Sequence, residues 1–169
     1  MPAERIAATP LSAGVMVWRL CRAVHGETVF SGEGGRRFGG RWNSRGVPMV
    51  YTSASLALAA IELFMHLEPS LAPHDLVAIS ATLPEGEPAR TVIPADLPPA
   101  WHGDLACSRE LGDEWIRSGS SLALQVPSVP IPPEWNVLIN PAHPRFVELK
   151  IDPPQPFLFD ARMIRASER

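Results

Sequence analysis

Short apolar runs, most of them ended by proline or glycine, dominate the hydrophobic pattern of this chain. Runs of this length, bounded by turn residues, are typical of β-strands. The nineteen prolines favour loops and edge strands over long helices. The pattern predicts strands at residues 15–21, 47–52, 76–83, 90–93, 121–126, 136–140, 146–151 and 157–159.

Two longer segments predict helices. Residues 56–67 form the longest apolar stretch, and they follow Ser53 and Ser55, either of which can cap a helix. Residues 107–118 place their apolar side chains on one side of a helix, although Gly112 weakens that prediction. Many short strands combined with two helices predict an α+β fold.

The length of 169 residues suits one domain with a sizeable core. We expect residues 1–14 to be a loose N-terminal extension and residues 15–169 to form that single domain. Residues 25–46 are polar and rich in glycine and arginine. We predict a long functional loop there.

Charge and composition exclude several classes of protein. The formal net charge of −3 argues against a surface that binds nucleic acid directly. No apolar run has the length of a membrane span, and the N-terminus lacks the apolar core of a signal peptide, so we expect a cytoplasmic protein without membrane contact. Neither the two cysteines nor the five histidines show the spacing of metal ligands, so we expect no metal.

The most informative segment runs from residue 34 to residue 62 and contains a guanidinium, a phenol and a carboxylate. Arg41 follows two glycines, which let a phosphate approach the backbone while the guanidinium binds two of its oxygens. Arg19 or Arg37 would take this role if Arg41 did not. Tyr51 ends a predicted strand, and Glu62 is the one charge within an apolar helix, where burial is costly without a task. Together they suggest a site for an anionic substrate with a positive reacting centre.

Three later residues are weaker candidates. Ser128 lies between two prolines that could present its hydroxyl rigidly, although a polar turn residue explains it equally. Asn140 and His143 follow a short apolar strand, where loops often line a site. His143 could act as an acid or base, or it could simply accept a backbone hydrogen bond.

Several motifs in one order resemble the RES domain, named for Arg, Glu and Ser positions. The matching segments are VWRLCRA, GGRRFGGRWNSRGVPMVYTS, ALAAIELFMHLE, LALQVPSVPIPPEWNVLINPAHPRF and FLFDARM. The resemblance extends over residues 17–163. It implies that Arg41, Tyr51, Glu62 and Ser128 are catalytic, that Arg41, Tyr51 and Ser128 also bind the substrate, and that Asn140 and His143 join them in binding it.

The resemblance further implies an ADP-ribosyltransferase-like fold and the toxin of a bacterial toxin–antitoxin pair. Such toxins consume NAD, so NAD is the expected substrate. The expected partner is an Xre-like antitoxin with a helix-turn-helix domain, and a homodimer is an open alternative for the toxin itself. The residues suit NAD: Arg41 can bind the pyrophosphate, and Glu62 can stabilise the oxocarbenium-like centre formed when the nicotinamide–ribose bond breaks.

The acceptor and the exact class stay open at this point. If water accepts the ADP-ribose group, the protein is an NAD glycohydrolase, and if phosphate accepts it, the protein is an NAD phosphorylase. If a protein side chain accepts it, the protein is an ADP-ribosyltransferase. A ribonuclease-like toxin is a rival, because Arg, Tyr, Glu and His also serve nucleases, but the net acidity counts against it. A non-catalytic module that binds NAD or ADP-ribose is a third alternative, and it would leave Glu62 without a chemical task.

Overall fold

The fold is that of a computed structural model, which describes residues 8–10, 14–68 and 73–164. Its described strands form one nine-stranded sheet. They are β1 (Ala8–Pro10), β2 (Met16–Arg22), β3 (Val50–Ser53), β4 (Leu76–Thr82), β5 (Pro88–Thr91), β6 (Ala123–Pro127), β7 (Trp135–Ile139), β8 (Lys150–Ile151) and β9 (Gln155–Phe157). The described α-helices are α1 (Glu33–Phe38), α2 (Leu56–Phe64), α3 (Leu105–Ser118) and α4 (Ala161–Ile164).

The strands lie in the order β1-β5-β6-β7-β3-β2-β4-β8, and β9 also pairs with β4. Only β5 and β6 pair in parallel; all other described pairs are antiparallel. At the centre of the sheet β3 pairs with β7, and Ser53 lies opposite Asn136. This register brings together two polar residues that are far apart in the sequence.

The strands β4 and β6 are buried on both faces, which explains why they are mostly apolar rather than alternating. Val137 and Ile139 of β7 pack in one cluster with Val17 of β2. Leu138, which lies between them, packs on the other face with Trp115 of α3. The helix α2 covers a third, smaller cluster beside β2 and β4.

The caps of the two main helices follow from their sequences. The Ser55 side chain accepts a hydrogen bond from the backbone N–H of Leu58 at 3.1 Å, so Ser55 rather than Ser53 begins α2. Asp104 caps α3 in the same way through the N–H of Ala106. At its other end α3 stops at Gly119, whose φ of 58° is the left-handed conformation common after helices.

Two sequence predictions are wrong in detail. The predicted loop at residues 25–46 contains α1, because Gly35 lets that helix lie directly on Met49: a Cβ on Gly35 would come within 2.5 Å of the Met49 carbonyl oxygen. Tertiary contact here overrides the poor helix propensity of glycine. The predicted strand at residues 146–151 is instead mostly a 3-10 turn, Pro144–Glu148, and only Lys150–Ile151 pairs as a strand.

The predicted N-terminal extension is described only in part. Its residues Ala8–Pro10 form β1, which pairs with β5 in antiparallel fashion. Residues 1–7 and 11–13 lie outside the described residues. Within the described part of the chain, no helix has the length and apolar character needed to cross a membrane.

Candidate active site

A cleft of about 750 Å³ opens over the middle of the sheet. Its floor comes from β2 and β3, and its sides come from α1, α2 and the segment between α1 and β3. We call that segment, residues 39–48, the arginine loop. The cleft walls include several chemistry-bearing side chains: Arg19, Arg41, Tyr51, Ser53, Glu62, His66 and Asn136.

The carboxylate of Glu62 is anchored through one of its two oxygens. Its Oε1 accepts hydrogen bonds from the Ser128 hydroxyl, at 2.8 Å, and from the Asn136 side-chain amide. The Asn136 amide is oriented in turn, because its Oδ1 accepts a hydrogen bond from the Ser53 hydroxyl at 2.7 Å. No side chain or backbone group in the described part of the chain donates to Oε2, so that oxygen is open to a molecule in the cleft.

Ser128 supports the site from behind. It is fully buried and does not line the cleft. Its hydroxyl donates to Glu62 and accepts the backbone N–H of Ile131 at 3.2 Å. Because both contacts fix the position of the hydroxyl, Ser128 holds the Glu62 carboxylate in place.

Arg41 bridges the arginine loop and the turn before α3. Its Nη1 donates to the carbonyl oxygen of Trp101 at 3.0 Å, and its Nη2 donates to that of His102 at 3.1 Å. The guanidinium also lies 5.7 Å from the ring centroid of Trp101, within the range of a cation–π contact. A guanidinium has five N–H donors, so these two bonds fix its orientation and leave donors for an anion in the cleft.

The Tyr51 hydroxyl is committed to the arginine loop. It donates to Asn43 Oδ1 at 2.7 Å and accepts the backbone N–H of Trp42 at 3.0 Å. Gly40 allows this contact, since a Cβ there would lie 2.3 Å from the Tyr51 hydroxyl oxygen. Burial raises the pKa of the Tyr51 phenol well above its ordinary value, so the hydroxyl stays protonated and keeps donating.

The helix α3 fixes the arginine loop from outside the cleft. Its side chains contact the loop backbone through three hydrogen bonds: Ser108 Oγ to the Arg41 carbonyl oxygen at 2.7 Å, Arg109 Nε to the Gly40 carbonyl oxygen at 2.8 Å, and the Ser44 N–H to Asp113 Oδ1 at 2.9 Å. The shape of the loop therefore depends in part on a helix that lies more than sixty residues further along the chain.

Arg19 contributes a second guanidinium to the cleft. It lies on β2, and no hydrogen bond or ion pair of its side chain occurs within the described part of the chain. Burial lowers the pKa of this guanidinium, although an arginine stays charged at neutral pH. A positive charge that is partly removed from water is costly unless it is paired, so an anion bound in the cleft would stabilise the Arg19 guanidinium. The sequence offers Arg19 only as a substitute for Arg41, although a charge within the apolar run VMVWRLC is a local signal that could have identified it.

Ser53 and Asn136 also belong to the site, although the sequence predicts neither of them there. Both line the cleft and complete the hydrogen-bond chain to Glu62. In the sequence, Asn136 is only the first residue of a predicted strand. No local signal separates such an asparagine from an ordinary strand end.

The two later candidates do not line the cleft. Asn140 is buried, where its side chain donates to the Ile116 carbonyl oxygen at 3.3 Å and accepts the N–H of Ala142 at 3.0 Å. His143 caps the following 3-10 turn, and its Nδ1 accepts the N–H of Arg145 at 3.2 Å. Their predicted part in substrate binding gains no support from this geometry. Among the residues described, no group of three or more His, Cys, Asp or Glu side chains could hold a metal ion.

Comparison with known proteins identifies the family. The model of the RES domain matches residues 16–160, and the chain therefore belongs to the RES domain family. The chain is 38% identical over 139 residues to the Prs ADP-ribosylating toxin of Sphingobium sp. strain YBL2, covering 80% of this chain and 86% of that protein. It is 31% identical over 162 residues to Toxin Res of Photorhabdus laumondii, covering 91% of this chain and all of that protein.

A solved structure shares the fold. The chain matches the crystal structure of the M. tuberculosis MbcT–MbcA toxin–antitoxin complex with a TM-score of 0.70 at 18% identity, over 96% of this chain and 93% of the matched one. The predicted α+β fold and the resemblance to the RES domain are both confirmed.

Proposed function

We propose that this protein is the toxin of a bacterial toxin–antitoxin pair and that it consumes NAD by cleaving the nicotinamide–ribose bond. The observation that carries the proposal is Glu62, with one carboxylate oxygen anchored by two donors and the other open to a cleft that also contains two guanidinium groups. The toxin names of the relatives support the biological part of the proposal.

The two arginines suit the pyrophosphate of NAD. Arg41 is held by two backbone carbonyls, and Arg19 has a side chain without a partner in the described part of the chain. A pair of guanidinium groups can neutralise the two negative charges of the pyrophosphate and donate to several of its oxygens. Such contacts would place the nicotinamide riboside relative to Glu62 before any bond breaks.

The carboxylate of Glu62 then acts on the reacting carbon. When the bond between nicotinamide and ribose breaks, both bonding electrons leave with the nicotinamide nitrogen, and C1 of the ribose becomes oxocarbenium-like. The open Oε2 of Glu62 stabilises that positive charge or holds a ribose hydroxyl. Ser128 and Asn136 keep the carboxylate in place, so little reorganisation is needed in the transition state.

The acceptor decides the enzyme class. An acceptor oxygen adds to C1 of the ribose and loses its proton. If the acceptor is water, the protein is an NAD glycohydrolase; if it is phosphate, the protein is an NAD phosphorylase. We favour these two functions. Transfer of ADP-ribose to a protein is the alternative, favoured by the name of the Sphingobium relative at 38% identity. The same cleft residues would serve each acceptor. We further propose an Xre-like antitoxin as the partner, consistent with the toxin–antitoxin complex among the structural matches.

Product analysis with matched variants tests this proposal. The purified protein is incubated with NAD, with and without inorganic phosphate and cell lysate, and the products are separated. Free ADP-ribose indicates hydrolysis, phosphorylated ADP-ribose indicates phosphorolysis, and labelled protein indicates transfer. Glu62→Gln should lower NAD consumption on the order of 100- to 1000-fold, because the stabilising charge is lost.

A control separates chemistry from folding. Glu110→Gln changes an exposed carboxylate on α3 outside the cleft, so it should consume NAD at the wild-type rate. Circular dichroism and thermal unfolding should show that both variants are folded. NAD that stays intact with the wild-type protein would refute the proposed function, and wild-type turnover by folded Glu62→Gln would remove Glu62 from the mechanism.

A further inference from the structure

An exposed aromatic ring lies inside the cleft on its α1 side. Phe38 is the last residue of α1, its side chain lines the cleft, and 69% of it is exposed. Isolated apolar residues on a convex surface need no explanation. Phe38 differs from them because it lies in a concave site next to the arginine loop, where a ligand can cover it.

The ring is supported and its backbone is fixed. The Arg37 guanidinium lies 5.7 Å from the ring centroid of Phe38, which places a cation against the ring. The following N–H, that of Gly39, donates to the Gly35 carbonyl oxygen at 2.8 Å and closes the helix. Gly39 has a φ of 68°, so the chain turns sharply after the ring. Together with the α3 contacts described above, these bonds hold Phe38 in a constant position relative to Arg41.

We propose that the Phe38 ring stacks on the adenine of NAD. This inference rests on the proposed function. Glu62 must lie at the nicotinamide ribose, and Arg41, three residues after Phe38, is assigned to the pyrophosphate. The adenosine leaves the pyrophosphate on the side away from the nicotinamide riboside, so an aromatic platform beside Arg41 suits the adenine. A purine offers the flat face that an exposed phenyl ring can cover.

The other exposed apolar residue of the cleft fits this role less well. Met65 follows α2, lies three residues after Glu62 and is 64% exposed. It has no aromatic face, and its place beside Glu62 associates it with the nicotinamide end. We therefore expect Phe38 to contact the adenine half of NAD and Met65 to contact the nicotinamide half.

Kinetics with a whole and a truncated substrate test the stacking. Phe38→Ala should raise the KM for NAD on the order of 10-fold or more with kcat nearly unchanged, because stacking is lost equally from the ground and transition states. Phe38→Trp should keep or lower that KM. Nicotinamide mononucleotide, which lacks the adenylate, should bind wild type and Phe38→Ala equally, whether measured as a substrate or as a competitor.

The same measurements on a control variant, and with ADP-ribose as ligand, show whether Phe38 stacks on adenine. Leu158→Ala removes a side chain that is 67% exposed but lies outside the cleft, and it should leave every constant unchanged. Calorimetry with ADP-ribose gives the affinity without turnover. Loss of affinity in Phe38→Ala would therefore support stacking of Phe38 on the adenine even if NAD were not cleaved. Equal ADP-ribose affinity in wild type and Phe38→Ala would overturn the proposal. It would also be overturned if Phe38→Ala lost as much affinity for nicotinamide mononucleotide as for NAD, or if the KM for NAD changed in Met65→Ala and not in Phe38→Ala.

Discussion

At the scale of single residues, Arg41 has a structural task and the proposed task of binding an anion, and a lysine could not combine the two. Two of its N–H groups bind the carbonyls of Trp101 and His102, and its flat face lies near the Trp101 ring. A lysine ammonium is a compact point charge without a planar fork. It could satisfy the carbonyls or an anion, but not both in a fixed geometry.

We therefore predict that Arg41→Lys weakens NAD binding on the order of 10-fold although the charge is kept. Arg45→Lys is the matched control, because Arg45 belongs to the same loop, is exposed and does not line the cleft. Calorimetry on both variants, with NAD or ADP-ribose, gives the comparison. If the affinity of Arg41→Lys equals that of wild type, Arg19 becomes the principal anion-binding residue and the same test moves to Arg19→Lys.

Tyr51 allows a test that no other residue in the chain disturbs, because the chain contains one tyrosine. Burial raises the pKa of its phenol above the ordinary value of about 10, so the folded protein keeps the proton after the unfolded chain has lost it. The contribution of the buried phenol to stability is therefore complete below pH 10 and declines as the pH rises above it. By pH 11 the decline should be roughly 1 kcal/mol.

Ultraviolet absorbance measures this directly. In a pH titration of the native protein, tyrosinate absorbance should stay low near pH 10 and rise only when the protein unfolds. Urea unfolding at pH 9 and pH 11 gives the stability of wild type and Tyr51→Phe at each pH. Tyr51→Phe leaves the Trp42 N–H and the Asn43 Oδ1 without the hydroxyl that they contact. The substitution should therefore cost about 1–3 kcal/mol at pH 9 and less at pH 11. A native phenol that titrates near pH 10 would contradict the buried, committed hydroxyl.

The sequence alone could identify some of these residues but not others. Glu62 and Arg41 stand out locally, one as a charge on an apolar helix and the other as an arginine after two glycines. Ser53 and Asn136 do not, because they meet only through the antiparallel register of β3 and β7, and 83 residues separate them along the chain. Partners fixed by strand pairing cannot be read from local pattern.

At the scale of secondary structure elements, α3 helps to hold the arginine loop in its shape. A Cβ on Gly112 would lie 1.8 Å from the Trp42 carbonyl oxygen, so the helix contacts the loop at a point where no side chain fits. From the sequence alone, this glycine weakens the prediction of α3, since glycine is a poor helix former. The structure shows why glycine occurs there: helix and loop can approach this closely only because residue 112 has no side chain.

Gly112→Ala should therefore destabilise the protein by about 1–3 kcal/mol, despite the better helix propensity of alanine, because the helix must move away from the loop backbone. The same movement should raise the KM for NAD. Gly34→Ala is the control for stability: Gly34 lies in α1, and the nearest atom to an added Cβ is Arg19 Nη2, at 3.9 Å. Urea unfolding should show Gly34→Ala to be as stable as wild type or slightly more stable. Equal stability of Gly112→Ala and wild type would show that the loop adapts freely.

Sequence pattern predicted the central strands well and the glycine-rich segment poorly. The buried strands β4, β6 and β7 lie within two residues of their predicted positions, since continuous apolar runs between turn residues have few alternative structures. The helix α1 has three charged residues and two glycines in six positions. It is held by its close approach to Met49 and by tertiary hydrogen bonds such as that from the Asn43 side chain to the Gly35 carbonyl oxygen. Such an element depends on the finished tertiary structure.

At the scale of the whole molecule, the sheet places two separate parts of the chain on one cleft. The side that contains the Arg19 and Arg41 guanidinium groups comes from β2, α1 and the arginine loop, and the side that holds the Glu62 carboxylate comes from α2, β3 and β7. The RES domain match covers both parts, from residue 16 to residue 160. Because the two sides meet only in the folded domain, we do not expect a shorter fragment to consume NAD.

The proposed toxin should act on a cell in a way that depends on Glu62. Production of the wild-type chain alone in a bacterium should stop growth and deplete cellular NAD, and co-production of an Xre-like antitoxin encoded beside it should prevent both effects. Glu62→Gln, made at the same level, should be harmless, because it removes the charge at the reacting centre and leaves the fold intact. Growth and NAD content are followed together, since a toxin that only modifies a protein would stop growth while NAD changes little. Arrest that persists with Glu62→Gln would point to aggregation instead of catalysis, and a wild-type chain that leaves both growth and NAD unchanged at high expression would refute the toxin proposal.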